Sequence, residues 1–271
     1  MNLINRICSP GSIILDRIET YPNEIMMIVE SNYEILNNYI KKEEIIDKKA
    51  ITNVILRIRR TFNEFSIEWN DILNSIKDIL INKKFIGFHC TRLINYEINY
   101  IIENGLMPLD PNFTKQRLDY LVKNKLISIN NYKHLLTNNA SNLTYRKGRI
   151  FFFHCISTFR DMNGLYRLFR SWGGEAIYFN NENDINIFNE IKLIGKPYII
   201  IAELDYNDLI NYHDLSEKLI IKIINNRKRK RSSIDFDSSI CHNVSIYKYI
   251  SIDNPDFDKL TKYKNWRYQI D

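Results

Sequence analysis

Residues 85–108 constrain the fold more than any other stretch of the chain. The first half, Phe85-Ile-Gly-Phe-His-Cys-Thr-Arg-Leu93, is apolar, aromatic and of strand length, and it ends in polar side chains. The second half reads as a helix, stopped by Gly105 and Pro108. On an extended backbone His89 and Thr91, two residues apart, project to one face, while Arg92 points to the other or turns into the next loop. A single histidine at a strand end is most often a structural residue. An imidazole, a hydroxyl and a guanidinium together suit a ligand rich in hydroxyls and phosphates.

Ahead of this strand, apolar residues recur at helical spacing from Asp16 to about Lys83. The clearest are Ile51, Val54, Ile55, Ile58, Phe62 and Phe65, then Trp69, Ile72, Leu73, Ile76, Ile79 and Leu80; Arg57, Arg59, Arg60 and Lys77 take the other face. Such a stripe builds a core, so residues 1–82 are expected to form a helical N-terminal region that packs on the rest. Behind the strand, residues 110–136 predict one or two helices and the polar 137–144 a loop.

A second unit begins at Gly148 with a buried strand over 149–156, and Ser157 can cap the helix after it. That helix carries Leu165, Leu168 and Phe169 on one face and ends at Ser171-Trp-Gly-Gly174, which holds two of the eight glycines. Paired glycines let backbone approach a ligand or take φ > 0, and Glu175 follows them directly. Further strands are expected over 175–179, 197–204 and 243–250.

With 271 residues, 45% hydrophobic and 26% charged, the chain is long enough for one large or two modest cores. A net charge of +6 permits anionic partners without defining a nucleic-acid binder. The basic run at 225–231 is either a solvated loop or an arm that contacts phosphate. Cys8, Cys90, Cys155 and Cys241 form no CxxC pair, so neither a zinc site nor a disulfide framework is expected, and a reducing cytoplasm fits best. Neither a signal peptide nor a run of about 18 apolar residues is visible, so export by that route and membrane contact are not expected.

His89-Cys-Thr-Arg92, a helix, and then Ile101, Gly105 and Leu106 resemble the first motif of the ADP-ribosyltransferase superfamily, in the branch of poly(ADP-ribose) polymerases and diphtheria-toxin-like enzymes. Gly148, Ile150, Phe151 and Phe152, with Ser157 and then Tyr166 or Phe169, resemble the strand, turn and helix that follow in that family. The resemblance implies an α+β protein in which residues 83–271 form an NAD-binding domain on a split, mostly antiparallel sheet. It implies NAD as substrate, with a protein or nucleic acid as acceptor and a setting in the cytoplasm of the cell or of a target cell, as a toxin or defence protein.

By the same resemblance His89 holds a ribose hydroxyl, Cys90 and Thr91 position ribose and amide, and Arg92 contacts phosphate or carboxamide. Phe151 or Phe152 and Tyr166 stack on the nicotinamide near Ser157, with Phe151 standing where the family has a tyrosine; Ser171 and Trp172, in the stretch with the paired glycines, are expected to bind NAD as well. The family's late glutamate falls where His242 and Asn243 stand, and no glutamate follows Glu217. The catalytic carboxylate is therefore expected from Glu175, with Glu203 as the alternative. Two other readings remain: an RNA 2'-phosphotransferase using Arg92, Arg146, Arg149, Arg167 and Arg170, and a catalytically silent module that binds ADP-ribose or nucleic acid.

Overall fold

The computed structural model describes residues 4–52, 61–160, 162–210, 214–230 and 236–261. After a single helical turn, α1 (Ile4–Ile7), the chain forms α2 (Asn23–Ser31), α3 (Tyr33–Thr52) and α4 (Ser66–Leu80). In α4 the spacing of Trp69, Ile72, Leu73, Ile76 and Leu80 buries all of them on one face, against Ile25 and Val29 of α2 and Leu36 of α3. Each such side chain contributes roughly 1.5–3 kcal/mol on leaving water. The stripe before it behaves differently, since Ile51 is 84% and Phe62 68% exposed. Val54, Ile55 and Ile58, with Arg57, Arg59 and Arg60, lie outside the described residues.

The polar-ended strand is β1 (Lys84–Leu93), followed by α5 (Asn95–Asn104), α6 (Pro111–Lys123) and α7 (Ile129–Thr137). Then come β2 (Ile150–Phe153), α8 (Met162–Phe169), α9 (Glu175–Asn181), α10 (Ile185–Ile191) and β3 (Lys196–Asp205). The chain continues with α11 (Leu215–Arg227), β4 (Asp237–Ile240), β5 (Ile246–Ser251) and α12 (Pro255–Thr261). The strands make one antiparallel sheet in the order β4-β2-β1-β3-β5, so the protein is of the α+β class.

Residues 175–179, expected as a strand, begin α9 instead. A short apolar run fits either state, and here Ile177 and Asn181, four apart, are the buried pair of a helix. The strand expected over 149–156 is confined to β2, because residues 156–160 turn into a 3-10 helix, and the one expected over 243–250 is shifted to β5. β4 and the 3-10 turn Ala140–Asn142 inside the expected loop were not anticipated.

β1 runs beside β3 along its whole length, from Lys84 opposite Asp205 to Leu93 opposite Lys196. On its other side it meets β2 at a single pair, Phe88 opposite Phe153. A histidine bridges the two strands on each side of that pair. His89 Nδ1 lies 3.0 Å from the Phe151 carbonyl, and His154 Nδ1 lies 2.8 Å from the Ile86 carbonyl. Behind His154 the gap is filled by residues 13–15: Ile13 bonds to both sides of Phe85, and the Leu15 N–H donates to the His154 carbonyl. In front of His89 the gap opens into a cavity.

Among the described residues no helix is long and apolar enough to cross a membrane.

Candidate functional site

Alternation along β1 divides its residues between two environments. Ile86, Phe88 and Cys90 pack with Phe153, Ile199 and Ile201 in one core layer. His89 and Thr91 face the other way, into a cavity of about 550 Å³ that also takes in α5, α6, β2 and the start of α9. That volume lies in the range of small-molecule sites. The walls are largely aromatic. Tyr96 and Tyr120 stack at 4.8 Å on the side of α5 and α6, and Phe151 and Phe152 of β2 stand opposite.

The tautomer of His89 follows from its bond to Phe151. A carbonyl only accepts, so Nδ1 carries the proton and Nε2 is left as an acceptor, with no partner among the described residues. Burial lowers the imidazole pKa from its ordinary value; the Phe151 carbonyl opposes that shift and the nearby Arg117 charge adds to it. His89 is therefore neutral at pH 7.

Glu175 is the first residue of α9 and lines the same cavity. It is placed there by Gly173 and Gly174, with φ of 88° and 57°. A Cβ on Gly173 would sit 2.3 Å from Ile177, and one on Gly174 would sit 3.1 Å from the Thr91 hydroxyl, so neither position admits a side chain without displacement. The Glu175 carboxylate accepts from Arg146 Nη2 at 2.5 Å. The same guanidinium lies 5.5 Å from the Phe151 ring centroid and 5.2 Å from that of Phe179. This pairing holds the Arg146 pKa above its ordinary value although burial opposes it.

Other expected site residues lie elsewhere. Arg92 is 4% exposed and donates to the Ile194 and Phe169 carbonyls at 2.7 and 3.2 Å, so it ties loops together and does not reach a ligand phosphate. Cys90 borders the cavity but packs in the opposite core layer, where burial raises its thiol pKa well above the ordinary value. Ser157 sits in the 3-10 turn, where its backbone N–H donates to Asp16, and neither Ser157 nor Tyr166 borders the cavity. Ser171 and Trp172 are fully buried behind the cavity wall. Glu203 lies beside Ser9 and Ser12 and accepts from both at 3.1 Å; this is the core face of Ile199 and Ile201, away from the cavity. His242 pairs with Asp208 at 3.2 Å, also outside it.

Of the arginines weighed for phosphate chemistry, Arg146 and Arg149 border the cavity, whereas Arg167 and Arg170 pair with Glu182. Two charged residues not singled out in the sequence are also in the wall. Glu97 of α5 and Arg117 of α6 are joined by a 2.6 Å ion pair, with side chains only 6% and 11% exposed. Glu97 occupies the third position of α5 and accepts from the Ile94 N–H, but with isoleucine at the N-cap the stretch lacks the Ser/Thr that would mark a capping box in sequence. No local pattern marks Arg117, twenty residues on. Arg227, at the end of α11 in the basic run, pairs with Glu30 on the helical side of the molecule, and Arg231 lies outside the described residues.

The fold and site define an α+β protein with a forked antiparallel sheet and an aromatic cavity in the fork, holding a neutral imidazole, a carboxylate and guanidinium groups. No family model, curated protein or solved structure matches the chain.

Proposed function

We propose that this protein is an NAD-dependent ADP-ribosyltransferase that transfers ADP-ribose to a protein or nucleic acid, as a toxin or defence protein acting in a cytoplasm. The observation that carries this reading is the meeting of the unpartnered Nε2 of His89, the Glu175 carboxylate and the Phe151 ring at one cavity. A neutral imidazole with an acceptor nitrogen suits a ribose hydroxyl, and Phe151 offers a flat face to nicotinamide. In the transfer the bond from the anomeric carbon to nicotinamide breaks, its electron pair leaving with nicotinamide. The acceptor's nucleophile forms the new bond and gives up a proton. Positive charge develops on the ribose in between, and a carboxylate facing it is the group that lowers the barrier.

A silent ADP-ribose-binding module is favoured by one observation, the ion pair that engages Glu175 with Arg146. The phosphotransferase reading is weakened because Arg92, Arg167 and Arg170 have protein partners instead of facing the cavity. Incubation with NAD labelled in both the nicotinamide and adenylate portions separates the readings. Transfer gives free nicotinamide and an adenylate-labelled macromolecule. A silent module releases no nicotinamide, and a phosphotransferase releases it only when a 2'-phosphorylated RNA is present.

A further inference from the structure

The cavity contains a guanidinium that is anchored through Nε and stacked on an indole, with both Nη groups left open among the described residues. Arg117 Nε donates to Glu97 Oε1 at 2.6 Å, and its Cζ lies 4.6 Å above the Trp172 ring and 5.9 Å from that of Phe113. Glu97 is itself fixed: the Trp172 Nε1–H donates to Oε2 at 2.9 Å and the Ile94 N–H to the same oxygen at 2.9 Å. The carboxylate is thus saturated by its neighbours, and the indole is locked beneath the arginine. Both Nη groups of Arg117 remain without a protein partner among the described residues, in a side chain that borders the cavity. The other cavity arginines each have one Nη group engaged: Arg146 gives Nη2 to Glu175, and Arg149 Nη1 lies 3.5 Å from the Ser239 hydroxyl.

We propose that Arg117 is the phosphate-binding residue of this cavity and that its two Nη groups grip the diphosphate of a nucleotide. A guanidinium presents a planar fork that matches two phosphate oxygens, and one already stacked and anchored loses little freedom on binding. Glu97 and Trp172 are positioning residues that aim the fork without touching the ligand. The inference rests on the nucleotide reading given above and deepens it: the phosphates lie on the side of α5 and α6, across the cavity from Glu175. The aromatic pair Tyr96 and Tyr120 on that same side offers a surface to a base.

Titration calorimetry of the full chain with adenosine, ADP, ADP-ribose and inorganic pyrophosphate tests this. The parent and Arg117→Lys are compared; lysine keeps a cation for Glu97 but has no fork. In the parent, ADP and ADP-ribose are expected to bind at least about tenfold tighter than adenosine, a preference that Arg117→Lys loses while its adenosine affinity stays the same. Should Arg117→Lys fail to fold, the Glu97→Gln/Arg117→Met double variant removes the charges together and is expected to give the same loss. A preference for ADP that survives in either variant overturns the proposal and moves the phosphates to Arg146 or Arg149. Pyrophosphate binding as tight as ADP overturns the nucleotide assignment. Binding of none of the three adenine ligands by the parent overturns both this proposal and the reading it rests on. Arg117-dependent ADP-ribose binding without nicotinamide release from NAD leaves this proposal standing and removes only the transferase.

Discussion

The two histidines that bridge β1 and β2 are placed almost symmetrically and meet opposite surroundings. Each follows the paired phenylalanine of its own strand by one residue, and each reaches the carbonyl two residues before the paired phenylalanine of the other. His154 is completely buried, its Nε2 2.8 Å from the Ser238 hydroxyl, its ring edge-on to Phe236, and residues 13–15 close the gap behind it. Among the described residues His89 makes only the one bond, and it lines the cavity. The fork thus has a sealed end and an open end. The same side chain is structural where the chain supplies a second partner and available for a ligand where it does not.

The largest effect should come from breaking the sealed end. His154→Ala strands the Ile86 carbonyl and the Ser238 hydroxyl in a dry interior and leaves a void, so stability should fall by about 3–4 kcal/mol. Urea unfolding followed by circular dichroism measures it. A loss below about 1 kcal/mol would mean that water reaches this end too, and the contrast between the ends would be lost.

The pH dependence sharpens the same contrast. Burial lowers the His154 pKa from 6.5 to about 4. Between these values the unfolded chain binds a proton that the folded protein does not, so stability rises with pH through this window and falls on acidification below 6.5. The full difference, reached near pH 4, is about 3 kcal/mol. His154→Asn should flatten that part of the stability curve relative to the parent, and an unchanged slope would assign it to other groups.

At the open end, Glu175→Gln should lower nicotinamide release by about a hundredfold with little change in NAD affinity, as for a group acting chiefly on the transition state. Glu203→Gln, on the opposite face of the sheet, should leave turnover per folded molecule as it is. Full activity in Glu175→Gln would leave the carboxylate as no more than the partner of Arg146.

The smallest change in stability belongs to His89→Ala. Water can replace the lost donor to Phe151, so the fold should change by no more than about 1 kcal/mol while NAD affinity drops about tenfold or more. Calorimetry beside a thermal melt separates the two quantities. A large loss of stability with intact affinity would show that His89 is a second sealed histidine.

The local content of this molecule was legible in its residues because it depends on short-range rules. The period of Trp69, Ile72, Leu73, Ile76 and Leu80 fixed one helix face, the alternation of His89 and Thr91 put them on one side of β1, and Gly173-Gly174 marked a backbone no side chain tolerates. What lay beyond reach was everything that depends on which distant segment arrives beside a residue. Arg92 reads as a ligand group until the Ile194 and Phe169 carbonyls are found around it, and Trp172 reads as a stacking surface until Arg117 is found to occupy its face. His154 and His89 differ in surroundings because residues 13–15 pack behind one, while among the described residues the other borders a cavity. Helical and strand periods are properties of neighbouring residues. Burial, charge pairing and the openness of a cavity are properties of contacts between distant positions, such as the 242 that separate Arg6 from Lys248, and only the folded structure settles those.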